Sequence, residues 1–210
     1  TRSLCDWSSD VCSSDLTFLT TLLLAAGFAS AQSDHARVWL RVRPVVADRP
    51  LRFDDVSIRT RAGQTLSVTR LDSLISNVRL SSGELRPTPS ASVGFIGAST
   101  NRDSFEACSA PRGHYESLEF DLGLSPSLNH ADPASFGPAD PLNPQVNGLH
   151  WSWQGGYVFL AIEGRYVTGD ASAGNELGGY SFHVATDDHR MHVRLPIDLS
   201  LDRDALITLT

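Results

Sequence analysis

The sequence predicts an all-β domain of antiparallel sheets, a β-sandwich or an open barrel, interrupted by one long loop rich in proline and asparagine. Three observations carry this. Apolar residues alternate with a period of two in several runs, the spacing that turns one face of a strand toward a core. Clusters of glycine, proline and aspartate separate the runs, as turns require. No stretch sustains the 3.6-residue period of an amphipathic helix.

In order along the chain, the first segment does not belong to the pattern. Cys5–Leu16 (CDWSSDVCSSDL) is polar and repetitive, and residues 1–16 are expected to be an adapter-derived artefact rather than protein sequence. Residues 17–31 (TFLTTLLLAAGFASA) carry an apolar run and an Ala29-Ser30-Ala31 ending, the pattern of a signal-peptide remnant. The run is too short to span a bilayer as a helix. Cleavage after Ala31 leaves 32–210, long enough for one domain with a sizeable core. An exported protein, periplasmic or secreted, with no stable membrane insertion is the expectation.

The strands follow. HARVWLRVRP sets Val38, Leu40 and Val42 against Trp39, Arg41 and Arg43. TLSVTRL and LISNVRL read as two closely spaced short strands, and ASVGFIG as a third candidate. HYESLEFDLGL alternates imperfectly through Tyr115, Leu118, Phe120 and Leu122. GYVFLAIEGRYV is the strongest run, with Val158, Leu160 and Ile162 opposed to Tyr157, Phe159 and Ala161. GYSFHVA should turn Phe182 and Val184 to the core and His183 to the other face. MHVRLPIDL aligns Met191, Val193, Leu195 and Ile197, and its Pro196 marks an edge or a strand end. Between these lies Ser125–His150, with five prolines; a loop of that length in a compact domain is functional or disordered, and this one runs straight into Trp151 as a lid or rim.

Composition excludes several functions. The chain is acidic, with a formal net charge of −7, and contains no lysine. Without a basic cluster it is a poor match for nucleic acid, and without lysine it has neither a Schiff-base nor a P-loop amine. Cys5 and Cys12 fall in the suspect segment, so Cys108 is left alone and is expected to be buried or partly buried rather than a reactive thiol. No HExxH, GxSxG or phosphate loop is present. Asp121, Asp132, Asp140, Glu163 and Asp187 form no constellation that specifies a reaction, and no enzymatic activity is expected. No heptad or repeat argues for assembly, so a monomer is expected.

Residues 150–157, HWSWQGGY, pose the functional question. On a strand Trp151 and Trp153 share a face, with His150 on the other. They read either as two core indoles at a sheet edge or as an aromatic site. Any metal site in so cysteine-poor a chain must use imidazole and oxygen, which suits copper or zinc. The histidines are His35, His114, His130, His150, His183, His189 and His192, and their spacing is too loose to name a ligand set.

RLDSLISNVRLSSGE (Arg70–Glu84), YESLEFDLGLSPSLNHADP (Tyr115–Pro133), PLNP (Pro141–Pro144), LHWSWQGGYVFLAIEG (Leu149–Gly164) and GYSFHVA (Gly179–Ala185) together resemble the MbnP-like family, periplasmic proteins associated with methanobactin and copper-uptake loci. The resemblance spans nearly all of Val38–Leu209. It implies an exported, mostly β protein that binds one copper ion. It also implies a MauG-like di-haem partner able to oxidise a tryptophan to kynurenine beside histidine ligands. Trp151 matches the modified residue, with Trp153 second, and His183, His130, His150 and His114 are the candidate ligands in that order. Some relatives carry histidine two positions after the modified tryptophan, where this chain has Trp153, and many carry additional cysteines. A β-domain that binds a protein or small ligand through its tryptophans, without metal, is the competing reading.

Overall fold

The alternation in HARVWLRV becomes β1 (His35–Val42), with Ala36, Val38 and Leu40 buried and their neighbours exposed or half-exposed. This computed structural model describes residues 34–83, 92–152, 155–168 and 176–210. The expected artefact and signal remnant lie outside the described residues, as does Trp153. From residue 33 onward the chain forms one compact unit.

A two-residue hairpin joins β2 (Val45–Val46) to β3 (Arg49–Pro50), and β4 (Ile58–Arg59) leads into the long β5 (Thr65–Ser81). Then come β6 (Val93–Gly97), β7 (Ser104–Pro111), β8 (Gly113–Leu122), the short β9 (His150–Trp151), β10 (Gly156–Thr168), β11 (Glu176–Ala185), β12 (Met191–Leu201) and β13 (Ala205–Leu209). The loop between β8 and β9 contains two single-turn helices, α1 (Pro126–Asn129) and α2 (Pro144–Asn147). The large sheet runs β11-β10-β5-β8-β12, with β4 and β6 also paired to β5 and β9 to β10; a smaller sheet runs β13-β1-β7. The protein is thus predominantly β, as expected.

Three expectations are corrected. TLSVTRL and LISNVRL are one 17-residue strand. No glycine or proline interrupts it, and a bulge between Ser76 and Arg79, with Asn77 at φ 54°, absorbs the irregularity. The sheets are not wholly antiparallel: β1 and β13 pair in parallel, Val38 opposite Ala205. These strands come from opposite ends of the unit, so no tight turn dictates their direction. Asp204 fixes the pairing by accepting hydrogen bonds from the Arg37 backbone and guanidinium at 2.8, 2.9 and 3.1 Å. Phe182 does not face the core but is 67 % exposed, because β11 is an edge strand. β7, too rich in small and polar residues to stand out, was not foreseen in the sequence. Pro196 does lie on an edge strand, in its interior beside a register shift.

Two sets of buried side chains hold the molecule. Val38 and Leu40 of the small sheet pack with Val78, Leu80, Leu118 and Leu201 of the large one, so the two sheets share a core. Leu74, Tyr157, Phe159 and Ala161 pack with Leu124, Leu142 and Leu149 from the long loop. Each such aliphatic or aromatic side chain removed from water contributes roughly 1.5–3 kcal/mol. The second set therefore fastens the loop to the sheet. Cys108 is buried opposite Val38, and burial, reinforced by the Glu106 charge, pushes its thiol up to about 11, which keeps it protonated and unreactive. No helix among the described residues is long and apolar enough to cross a membrane.

Candidate functional site

The prolines and asparagines of Ser125–His150 build a braced rim. Proline occupies the first turn of both α1 and α2, where its missing N–H costs nothing. Asn143 caps α2 by accepting from Gln145 N at 2.9 Å and donates to the carbonyls of Phe136 and Gly137. Asn147 donates to Pro141 O and accepts from Leu149 N, both at 2.7 Å. Tyr157 on β10 donates its hydroxyl to Leu142 O, tying the rim to the sheet.

At the end of α1, Asn129 and His130 reach across to two other elements. Asn129 accepts from Tyr157 N and donates to Asp187 in the β11–β12 turn, both at 2.7 Å. His130 places Nδ1 2.8 Å from Gly155 O and Nε2 3.0 Å from Asp187 Oδ2. Both partners can only accept when Asp187 is ionised, so both ring nitrogens carry protons and the ring is an imidazolium. The hydrogen bond to Gly155 and then that to Asp187 raise the His130 pKa above its ordinary value. The bonds from Asn129 and His130 hold Asp187 below the ordinary carboxylate range. Asn129, His130 and Asp187, with Trp151, Tyr157 and Thr186, line a cleft of about 290 Å³.

Trp151 forms the other wall. Its ring lies 5.6 Å from that of His183, at 55°. His183 is 25 % exposed and directs Nε2 at Glu163 Oε1, 2.9 Å away, with the Ser181 hydroxyl 3.0 Å from the same nitrogen. Arg70 donates to that same Glu163 oxygen at 3.1 Å, to Asp72 at 2.6 Å and to Gly148 O at 3.3 Å. Register explains the meeting: Arg70 pairs with Glu163, Asp72 with Ala161, and Ala161 with His183, so all share one face of three adjacent strands. Burial alone would raise Glu163, but the His183 hydrogen bond and the Arg70 charge outweigh it and lower its pKa. For Asp72 burial wins, and its pKa is raised despite Arg70. With Glu163 ionised, Nε2 of His183 carries the proton and a neutral ring keeps its lone pair on Nδ1.

The MbnP family model matches residues 35–209. The chain belongs to the MbnP family. The solved structure of MbnP from Methylosinus trichosporium is similar over 79 % of this chain and 72 % of that one, at 15 % sequence identity and a TM-score of 0.52, which is a likeness of fold. No curated protein sequence matches.

In this MbnP-family chain two of the six expected residues, Trp151 and His130, line the cleft, and a third, His183, stands beside Trp151 without lining it. His150 precedes Trp151 on the same short strand but turns its ring edge-on to Tyr157, centroids 4.9 Å apart. His114 stands beside Asp198, 3.6 Å away, at the far end of β8. The Leu122 end, which feeds the rim, is eight residues on, about 26 Å at roughly 3.3 Å per strand residue. Trp153 lies outside the described residues. Asn129, Arg70 and Asp72 were not picked out in the sequence, although a charged Arg70-x-Asp72 inside an apolar strand was a visible signal.

No three His, Cys, Asp or Glu side chains gather as a metal group among the described residues. The donor set is sparse: one imidazole nitrogen on His183, an indole, and His130 with both nitrogens engaged. Such a set fits a soft, low-coordinate copper(I) ion better than a hard cation.

The His130 latch predicts a pH response. A raised folded-state pKa means that the latch contributes fully below about 6.5, the unfolded histidine value, and loses its contribution as pH rises through the folded pKa. NMR titration should place His130 above 6.5, and Asp187→Asn should bring it down. A His130 pKa unmoved by Asp187→Asn would contradict the latch.

Proposed function

We propose that this protein is a non-catalytic, exported copper(I)-binding protein of the MbnP type, a β-sandwich with its metal beside the Trp151–His183 ring pair at the edge of the cleft. The observation that supports this reading is the His183 side chain. Glu163 engages its Nε2–H, which leaves Nδ1 as the ligand atom beside Trp151. Hydrogen-bonded partners of this kind orient metal-binding imidazoles and raise their basicity. His130 is a reserve ligand, available once its latch opens and it gives up a proton. Copper would neutralise part of this acidic surface and hold the loop rim to β11.

Trp151 is the residue we assign to oxidation by a MauG-like di-haem partner. Two oxygen atoms, from dioxygen or from two equivalents of peroxide with release of two waters, cleave the indole C2–C3 bond and give N-formylkynurenine. Hydrolysis then releases formate and leaves kynurenine, whose aryl amine is a better donor than the indole. The masses follow: about +32 Da for the formyl stage and about +4 Da for kynurenine. Peptide mass spectrometry of protein matured with the partner should locate this change at Trp151 and not at Trp39.

Anaerobic titration with Cu(I) against a competing chelator tests the binding. One tight equivalent is expected, retained in His114→Ala. Binding no tighter than that of the unfolded chain would overturn the reading. The exposed Phe182, its ring 5.7 Å from that of Tyr180, favours the second reading, a protein-binding module. Partner binding that persists in His183→Ala with no metal at any stage would select it.

A further inference from the structure

The segment 43–61 stands apart in charge. It holds five of the chain's arginines against three aspartates, in a protein that is acidic overall. The β2–β3 hairpin and β4 fold it around a cleft of about 850 Å³, lined by Arg49, Arg52 and Arg59 together with Val46, Leu51 and Ile58. One carboxylate, Asp55, also lines it. No ion pair engages any of the three arginines among the described residues. Arg37, Arg41, Arg70 and Arg79, in contrast, are each spent on a carboxylate. The cleft is also remote from Trp151. β4 pairs with Thr65 and Leu66, which lie opposite Tyr166 and Val167 at one end of β10, whereas Trp151 pairs with Gly156 at the other.

We propose that this cleft is a binding site for an amphipathic organic anion, with a phosphate or carboxylate head held by Arg49, Arg52 and Arg59 and an apolar body against Val46, Leu51 and Ile58. The chemistry follows from the lining. Guanidinium forks donate paired hydrogen bonds to planar or tetrahedral oxyanions and are weakly hydrated for a cation. Three of them around one aspartate leave an uncompensated positive charge that an anion neutralises. The volume is that of ordinary small-molecule sites, whose walls are largely apolar with a few polar groups fixing orientation. The hairpin that forms one wall is set by its turn, with Ala47 and Asp48 both at positive φ (48° and 62°), the two-residue geometry whose twist matches the flanking strands. The lipid head group and the free metabolite share this chemistry.

The test is calorimetric titration of the full chain with hexyl phosphate below its micelle concentration, with inorganic phosphate, and with phosphatidylglycerol and phosphatidylcholine vesicles. Saturable binding of hexyl phosphate is expected, tighter than that of inorganic phosphate and weakened by salt. Combined Arg49→Gln, Arg52→Gln and Arg59→Gln should weaken it about 10-fold, roughly twofold for each exposed guanidinium. Val46→Ser, at an exposed rim position, should weaken hexyl phosphate and leave inorganic phosphate unchanged. Binding to phosphatidylglycerol vesicles that hexyl phosphate displaces assigns the head group to a lipid; binding of the soluble probe alone assigns it to a free ligand. Failure of every probe to bind at millimolar concentration, or binding indifferent to the triple variant in protein whose circular dichroism is unchanged, overturns the proposal. Copper affinity at Trp151 is expected to be the same in the triple variant.

Discussion

Copper(I) affinity should fall by more than 100-fold in His183→Ala, measured by competition with a chelator of known affinity. The residue is half on the surface of an edge strand, so its removal leaves no large cavity and the fold should persist. What the proposed site would lose is the imidazole beside Trp151 whose Nε2 is engaged by Glu163. Glu163→Gln is the graded companion. It keeps a hydrogen-bond acceptor but removes the charge that fixes Nε2–H and receives Arg70. Outer partners of metal-bound histidines are worth about 10–100-fold in affinity, so Glu163→Gln should fall between wild type and His183→Ala. His114→Ala is the control, and an equal loss there would move the site off this cleft. Equal affinities in His183→Ala and wild type would remove the Trp151–His183 cleft from consideration.

The largest stability effect is expected for Phe159→Ala, about 3–5 kcal/mol, from urea or thermal unfolding. Phe159 is fully buried in the set of side chains that fastens the long loop to β10. It also packs over Gly123, which sits at φ 117° and where even a Cβ would come within 2.6 Å of the ring. Chain and ring are thus fitted to each other at the point where β8 ends and the rim begins. Truncation leaves a cavity that the strand backbone cannot close, and the rim should loosen with it. Phe159→Leu, which keeps most of the volume, should recover more than half of the loss. A cost below about 1 kcal/mol for Phe159→Ala would mean that the loop is not held by this packing. The effect should be read on metal-free protein, since any metal bound by the folded state would add stability of its own.

The strands were legible because burial on one face of a sheet writes a period of two into the chain. Val38 and Leu40, and Tyr157, Phe159 and Ala161, could be assigned a side without any structure. The rule failed where its premise failed. Phe182 obeys the alternation of GYSFHVA, but its strand is an edge strand and that face is not covered. β7 was missed because SFEACSAP buries small residues, which carry little periodic signal.

For the site, the neighbourhood was legible and the partnerships were not. The resemblance carried by HWSWQGGY and FHVA implies Trp151 and His183, and a loop with five prolines running into tryptophan implies a rim. Nothing in local sequence could join Arg70 to Glu163, 93 positions away, or His130 to Asp187, 57 away. Those pairs depend on strand register and on where a loop lands, and both are set by packing of the whole unit. By itself the sequence determined the β class, the alternation of faces along the strands and the residues capable of chemistry, because each is written in spacing and composition. Only the tertiary structure decided that His183 turns its Nε2 to Glu163, that His130 spends both of its nitrogens on a latch, and that His114 stands a strand's length away. A side chain's available lone pair depends on its neighbours in space, and long-range neighbours are not encoded at any fixed separation along the chain.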